Sequence, residues 1–264
     1  MQTLKERFEE FILSIKGVES VDRLMTQCNL PGRKSADYLA LNRRVIIEQK
    51  SLDIDPDHKV PEFFEKHTNI GDPVDGDLTS LSHLLRRLPE GTQLGIDLYR
   101  SLTKGLDDIL SHADKQTRDT RKTFFIPEAI GVVVILNDSA PTLEPDVVTI
   151  KAAEMLRKKL TPTNELRYPE NHAVILISEA HRIPSDKAEE LIPTSTAFSD
   201  LGGQMTFATS FTEVLLRRWA EFNNASFTDD PESWEGFETR EAAKIFRVGG
   251  PGPRDPPSRD VVAR

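Results

Sequence analysis

The spacing of hydrophobic residues along the chain predicts helices and strands in alternation. Apolar positions recur every three to four residues from 3 to 16, which predicts an amphipathic helix with Lys and Glu outside. Two short apolar runs follow, over 36–41 and 44–52, and the Asn42-Arg43 pair between them predicts a β-hairpin. The β-branched run Val45-Ile46-Ile47 is typical of a strand core.

The same pattern continues through the second half of the chain. We predict helices over 79–121 (interrupted near Pro89-Glu90-Gly91), 146–160 and 211–223, buried strands over 129–137 and 172–178, and an edge strand over 203–209. Ser210 and Glu213 have capping-box spacing, which places the start of the last helix there. The order of elements predicts an α/β fold with a mixed central sheet flanked by helices.

Two segments lack this periodicity. Residues 51–80 are rich in Asp and Pro and predict an acidic loop inserted after the hairpin. The Pro- and Gly-rich stretch at the end predicts a disordered tail over 248–264. We therefore expect a single α/β domain over 1–247.

Composition excludes several classes of protein. The chain has 264 residues, a formal net charge of −9 and 38% hydrophobic residues, which suits a soluble globular protein. No apolar run reaches the roughly 20 residues of a membrane helix, and the N-terminal residues do not resemble a secretory signal. The single cysteine, Cys28, excludes an internal disulfide and a cysteine-based zinc site. We expect a cytoplasmic protein.

Basic residues are concentrated in two places despite the negative total. The window 33–50 carries a net charge of +3, and a second basic group lies near the end of the helix predicted over 79–121. A local basic surface can bind phosphates, although a solvated mixed surface explains the same residues. The candidate nucleic-acid-binding residues are Arg33, Lys34, Arg43, Arg44, Arg118 and Lys122.

The predicted hairpin brings two acids and an amine together. With the turn centred on Asn42-Arg43, paired residue numbers sum to 85, so Asp37 lies opposite Glu48. Two carboxylates directly across a strand pair repel each other unless a positive charge lies between them. A divalent cation would resolve that repulsion, and Lys50 adds a fixed charge on the same face.

Oxygen ligands favour Mg²⁺ or Mn²⁺ at this place over zinc. The main-chain carbonyl of Gln49 is a further candidate ligand. Such an ion polarises a phosphoryl oxygen and lowers the pKa of a bound water, which suits phosphodiester hydrolysis. Lys50 would then orient the water or help to deprotonate it, and would stabilise the charge that develops at phosphorus.

At these residues the chain resembles the PD-(D/E)xK nuclease superfamily, which has a restriction-endonuclease-like fold. The match is Asp37 followed by Glu48-Gln49-Lys50 on consecutive strands, with Ala36 where the family motif has proline. The resemblance covers about the first half of the chain and implies metal binding by Asp37 and Glu48 and a catalytic role for Lys50. It also implies DNA, or less favourably RNA, as substrate, and it leaves a homodimer open. Some members add a glutamate from the first helix, for which Glu9 is the candidate.

Two rival functions stay open at this point. The first is a catalytically inactive module of the same fold that binds nucleic acid or a partner protein. The second is a small-molecule enzyme that uses the loop Asn137-Asp138-Ser139, because open α/β sheets bind ligands at the carboxyl ends of their strands. A third interpretation gives the hairpin no chemistry and treats Glu48 and Lys50 as a surface ion pair.

Overall fold

A mixed six-stranded open sheet is the framework of the protein. The computed structural model describes residues 2–30, 34–66, 93–182, 192–199, 204–225 and 227. The strands are β1 (Glu19–Ser20), β2 (Tyr38–Ala40), β3 (Val45–Ser51), β4 (Ile130–Asn137), β5 (Ala173–Ser178) and β6 (Thr194–Phe198), and they lie in this order across the sheet. β3, β4 and β5 run parallel, whereas β1–β2, β2–β3 and β5–β6 are antiparallel pairs.

Helices cover both faces of this sheet. They are α1 (Leu4–Ser14), α2 (Val21–Gln27), α3 (Lys59–Lys66), α4 (Gln93–Phe124), α5 (Pro145–Arg157) and α6 (Met205–Phe222), with short 3-10 turns at Pro56–His58 and Glu179–His181. α1 and α6 pack on one face, against side chains such as Ile47 and Val132. α4 and α5 pack on the other face, against side chains such as Val133 and Ile135. Successive strand residues therefore face different helices.

The predicted α/β architecture and most of its elements are confirmed. α1 begins with a capping box in which Thr3 and Glu6 satisfy each other's backbone N–H groups. β4 and β5 are buried along their whole length, as their continuous apolar runs predict for strands covered on both faces. The hairpin also has the predicted register, since Tyr38 pairs with Ile47 and Leu39 pairs with Ile46.

The prediction that 51–80 is an irregular loop is wrong for its first part. β3 extends to Ser51, and residues 59–66 form α3. Val60, Phe63 and Phe64 recur at helical spacing and pack against the buried start of α4, while the acidic side chains lie outside. Residues 67–92, and with them the interruption predicted near Pro89, lie outside the described residues.

The prediction for the C-terminal elements is also wrong in two places. Residues 205–209 belong to α6 and not to an edge strand, and Ser210 lies inside this helix and does not cap it. The reason is a buried stripe that starts at Ala208 and continues to Trp219 at helical spacing. The edge strand is β6, over 194–198, and neither it nor α2 was predicted.

Two further observations bear on the limits of the domain. Residues 248–264, predicted as a tail, lie outside the described residues, so the boundary at 247 stays a prediction. Within the described ranges, no helix is both long enough and apolar enough to span a lipid bilayer.

Candidate metal and catalytic site

At the open end of the hairpin, Asp37 lies next to the second half of β3. Asp37 lies one residue before β2, and its backbone N–H donates to the Ile47 carbonyl at 3.1 Å. Its carboxylate Oδ2 accepts a hydrogen bond of 2.6 Å from the backbone N–H of Gln49. Asp37 thus continues the pairing of the two strands through its side chain and is held beside Glu48.

Glu48 is a buried acid with an incompletely satisfied carboxylate. Only 1% of the residue is exposed, and its Oε1 lies 2.5 Å from the Lys50 ammonium. The other oxygen, Oε2, is buried and has no hydrogen-bond partner in the part of the chain that the structure describes. A buried carboxylate oxygen without a partner is costly, so its retention calls for an explanation.

Burial raises the pKa of both carboxyls, and the Asp37 charge acts on Glu48 in addition. Burial and, after it, the nearby Asp37 charge raise the pKa of Glu48 to about 8, against the opposing effect of Lys50. Burial also raises the pKa of Asp37, but the Gln49 N–H and the Lys50 ammonium counteract this increase. Two acids held side by side in a largely buried place attract a positive charge.

Helix α4 completes the surroundings of Lys50. The Lys50 ammonium donates to Gln116 Oε1 at 2.8 Å, and Gln116 Nε2 donates to the Ser35 carbonyl at 2.8 Å. One turn further along, Thr120 Oγ1 accepts from the Ala36 N–H at 2.8 Å. Sequence reasoning missed Gln116 and Thr120; the available signal was a group of polar residues on the inner side of an otherwise apolar helix face.

Gln49 and Glu9 lie toward the opposite side of the hairpin. The Tyr38 hydroxyl donates to Gln49 Oε1 at 3.4 Å, on the face that packs against α1. Burial raises the pKa of Tyr38, and the Glu9 charge on α1 adds to the shift. Glu9 itself is exposed, and within the described residues it forms no hydrogen bond or ion pair with Glu48 or Lys50, so its role in the site stays a prediction. Metal ligation by the Gln49 carbonyl stays a prediction.

The basic residues at the hairpin turn lie away from the acidic pair. Arg43 forms two hydrogen bonds to Glu19, at 2.8 and 3.0 Å, and the Arg44 guanidinium lies 4.4 Å from the centre of the Phe207 ring. Both line a cavity of about 420 Å³ at the turn. Lys50 lies six positions after Arg44 along the extended chain, which corresponds to about 20 Å.

Arg118 and Lys122 line a cavity that includes neither Asp37 nor Glu48. Arg118 forms ion pairs with Asp114 and Glu170, and it lines with Lys122 a separate open cavity of about 570 Å³. Lys34 is exposed, and Arg33 lies outside the described residues. Their assignment to nucleic-acid binding stays a prediction, and the ion pairs of Arg43 and Arg118 reduce the charge that each offers to a phosphate.

The loop proposed for a small-molecule enzyme has a structural role. The Asn137 amide donates to the carbonyls of Ala140 and Leu143, and its oxygen accepts from the Ala140 N–H. Ser139 Oγ donates to the Leu52 carbonyl at 3.0 Å. These side chains close the loop and connect it to the end of β3, so they do not form a set of free groups directed at a ligand.

Neither a cluster of metal-binding side chains nor a similarity to a known protein gives independent support for the site. Within the described ranges, no group of three or more His, Cys, Asp or Glu side chains is arranged to hold a metal ion. An ion at the hairpin would take two carboxylates together with other oxygen donors. No family model matches the chain, and searches of curated proteins and of solved structures give no significant match.

Proposed function

We propose that this protein is a metal-dependent nuclease of the PD-(D/E)xK type, with a restriction-endonuclease-like core, that hydrolyses phosphodiester bonds of DNA. The observation that carries the proposal is the burial of Glu48 beside Asp37 and Lys50, with one carboxylate oxygen lacking a partner among the described residues. RNA is the less favoured substrate.

This environment argues against a surface ion pair without a function. Exposed pairs of Lys and Glu contribute little and need no second acid nearby. Glu48 is almost completely buried, and the Asp37 charge makes its ionisation still harder. Strongly perturbed titratable groups of this kind are concentrated at functional sites.

The donor set fits Mg²⁺ or Mn²⁺. Asp37 and Glu48 supply carboxylate oxygens, including the buried Oε2 that lacks a partner in the described chain, and the Gln49 carbonyl is the third candidate. The predicted ion, when bound, supplies positive charge that polarises a phosphoryl oxygen and makes hydroxide available near neutral pH.

The chain's own groups have distinct roles in this proposal. Asp37 and Glu48 would hold the ion, and the burial of Glu48 keeps competing water away from its carboxylate. Lys50, fixed between Glu48 and Gln116, orients the attacking water and stabilises the negative charge that develops on the phosphoryl oxygens. The elements α1, β2, β3, α4 and β4 follow one another in the order expected of the superfamily core, with β1, α2 and α3 placed between them.

A cleavage assay with matched variants tests the proposal. Supercoiled, linear and single-stranded DNA, and an RNA, are incubated with and without Mg²⁺ or Mn²⁺. We expect metal-dependent cleavage by the wild type and a loss of at least about 100-fold in Lys50→Ala and Asp37→Ala. Lys104→Ala, which removes an exposed lysine of α4, should retain full activity.

Binding of DNA without cleavage would contradict the proposal. If the folded wild type binds DNA independently of metal and cuts none of the substrates, the chain is an inactive module of this fold. Circular dichroism of each variant separates a loss of catalysis from a loss of folding.

A further inference from the structure

Helix α4 reaches both strands of the hairpin through two polar side chains. Gln116 contacts Lys50 on β3 and the Ser35 carbonyl before β2, and Thr120 accepts from the next backbone N–H, that of Ala36. Thr120 Oγ1 also donates to the Gln116 carbonyl at 2.8 Å. One turn of the helix is thus bonded to the segment that leads directly into Asp37.

We infer that Gln116 is a positioning residue for Lys50, and that α4 thereby sets the position of the amine relative to the two carboxyls. The inference rests on the proposed function and extends it to a residue outside the motif. It assigns Gln116 no contact with the ion or the substrate.

The first argument concerns the freedom of the lysine side chain. Lys50 has a long side chain with many rotamers, and ordering it costs up to about 2 kcal/mol of conformational entropy. An ammonium has three N–H donors; in the described chain one is directed at Glu48 Oε1 at 2.5 Å and one at Gln116 Oε1 at 2.8 Å. Two fixed acceptors determine where the third donor points, which leaves it for a substrate or water oxygen.

The second argument concerns the amide of Gln116. Its Nε2 donates to the Ser35 carbonyl, so its oxygen must face Lys50. The reverse orientation would place N–H groups against an ammonium and an oxygen against a carbonyl. The amide also accepts without adding a third negative charge beside Asp37 and Glu48, so it holds the amine without neutralising it.

Steady-state kinetics of cleavage test this role in the full-length protein. Gln116→Met keeps the side-chain length and removes both hydrogen bonds, whereas Gln116→Glu restores an acceptor for Lys50. We expect Gln116→Met to lower kcat by about 10- to 100-fold with KM and Mn²⁺ affinity nearly unchanged. Gln116→Glu should recover part of that loss, and Gln93→Met, at an exposed position of α4, should leave kcat unchanged.

A second measurement does not depend on cleavage. Reductive methylation with ¹³C-formaldehyde, followed by NMR, reports the reactivity of each lysine, and Lys50→Arg identifies the Lys50 signal. We expect Lys50 to react several-fold faster in Gln116→Met than in the wild type. Equal rates, or a change in KM with kcat unaltered, would overturn the inference. Faster methylation in a protein that cuts no nucleic acid would show that Gln116 holds the amine but that the proposed nuclease function is wrong.

Discussion

Replacing the Glu48 carboxyl with an amide removes a buried acid that the fold keeps protonated over an unusually wide pH range. Glu48→Gln preserves the size of the side chain and leaves Asp37 as the only acid of the pair. The amide oxygen of the variant still offers an acceptor to the Lys50 ammonium, and any change in the strength of that hydrogen bond gives an offset in stability that does not vary with pH. The pH dependence of the difference between the two proteins is therefore the informative quantity.

The magnitude follows from the pKa of the carboxyl in the two states. In the unfolded chain the pKa has its ordinary value of 4.5, and in the fold burial and the Asp37 charge raise it to about 8. Between these values the unfolded state releases the proton while the folded state retains it, so stability decreases as the pH rises. The accumulated loss by pH 8 is about 4 kcal/mol, and Glu48→Gln escapes it.

Urea unfolding with EDTA present, at several values between pH 5 and pH 8, measures this difference. We expect Glu48→Gln to gain stability relative to the wild type by several kcal/mol across the range. Glu62→Gln, at an exposed position on α3, removes the same charge away from the cluster and should follow the wild type. A difference between Glu48→Gln and wild type that does not change with pH would refute the reasoning.

Metal ions provide a second test on the same pair of proteins. An ion that binds only the folded state stabilises it, by about 2.7 kcal/mol at a concentration one hundred times its Kd. Mn²⁺ should therefore stabilise the wild type at pH 8 and have little effect on Glu48→Gln. The effect should weaken toward pH 6, because protons compete with the ion for Glu48.

Two further substitutions test the electrostatics of the pair and the packing of the sheet. Asp37→Asn removes the charge that opposes ionisation of Glu48, so the pKa of Glu48 should fall. A ¹³C NMR titration of the Glu48 carboxyl carbon measures this pKa. An unchanged pKa would show that the two acids do not interact. Gly131→Ala would place a Cβ 2.1 Å from the Glu170 carbonyl oxygen, so the backbone must shift. We expect a loss of roughly 1–3 kcal/mol or more in urea unfolding, and a variant as stable as the wild type would contradict this packing.

The sequence by itself determined the hairpin and the faces of its residues. A turn centred on Asn42-Arg43 and the period of two along a strand are both local properties, and together they specify the register that pairs Tyr38 with Ile47. The same reasoning placed Glu48 and Lys50 on one face. β4 and β5 were equally predictable from their long β-branched runs, because strands buried on both sides need no polar positions.

Only the tertiary structure decided what surrounds those residues. Gln116 lies 66 positions from Lys50, and no local pattern shows which residue of a long helix meets which residue of a strand. The same limit explains why α3 was not predicted, since its apolar stripe has a partner only when α4 packs against it. It also explains the start of α6, where the burial of Ala208 prevails over the capping pattern at Ser210. The burial of Glu48, from which the proposed function follows, likewise depends on the folded chain, because solvent exposure is a property of all the elements that pack around a side chain.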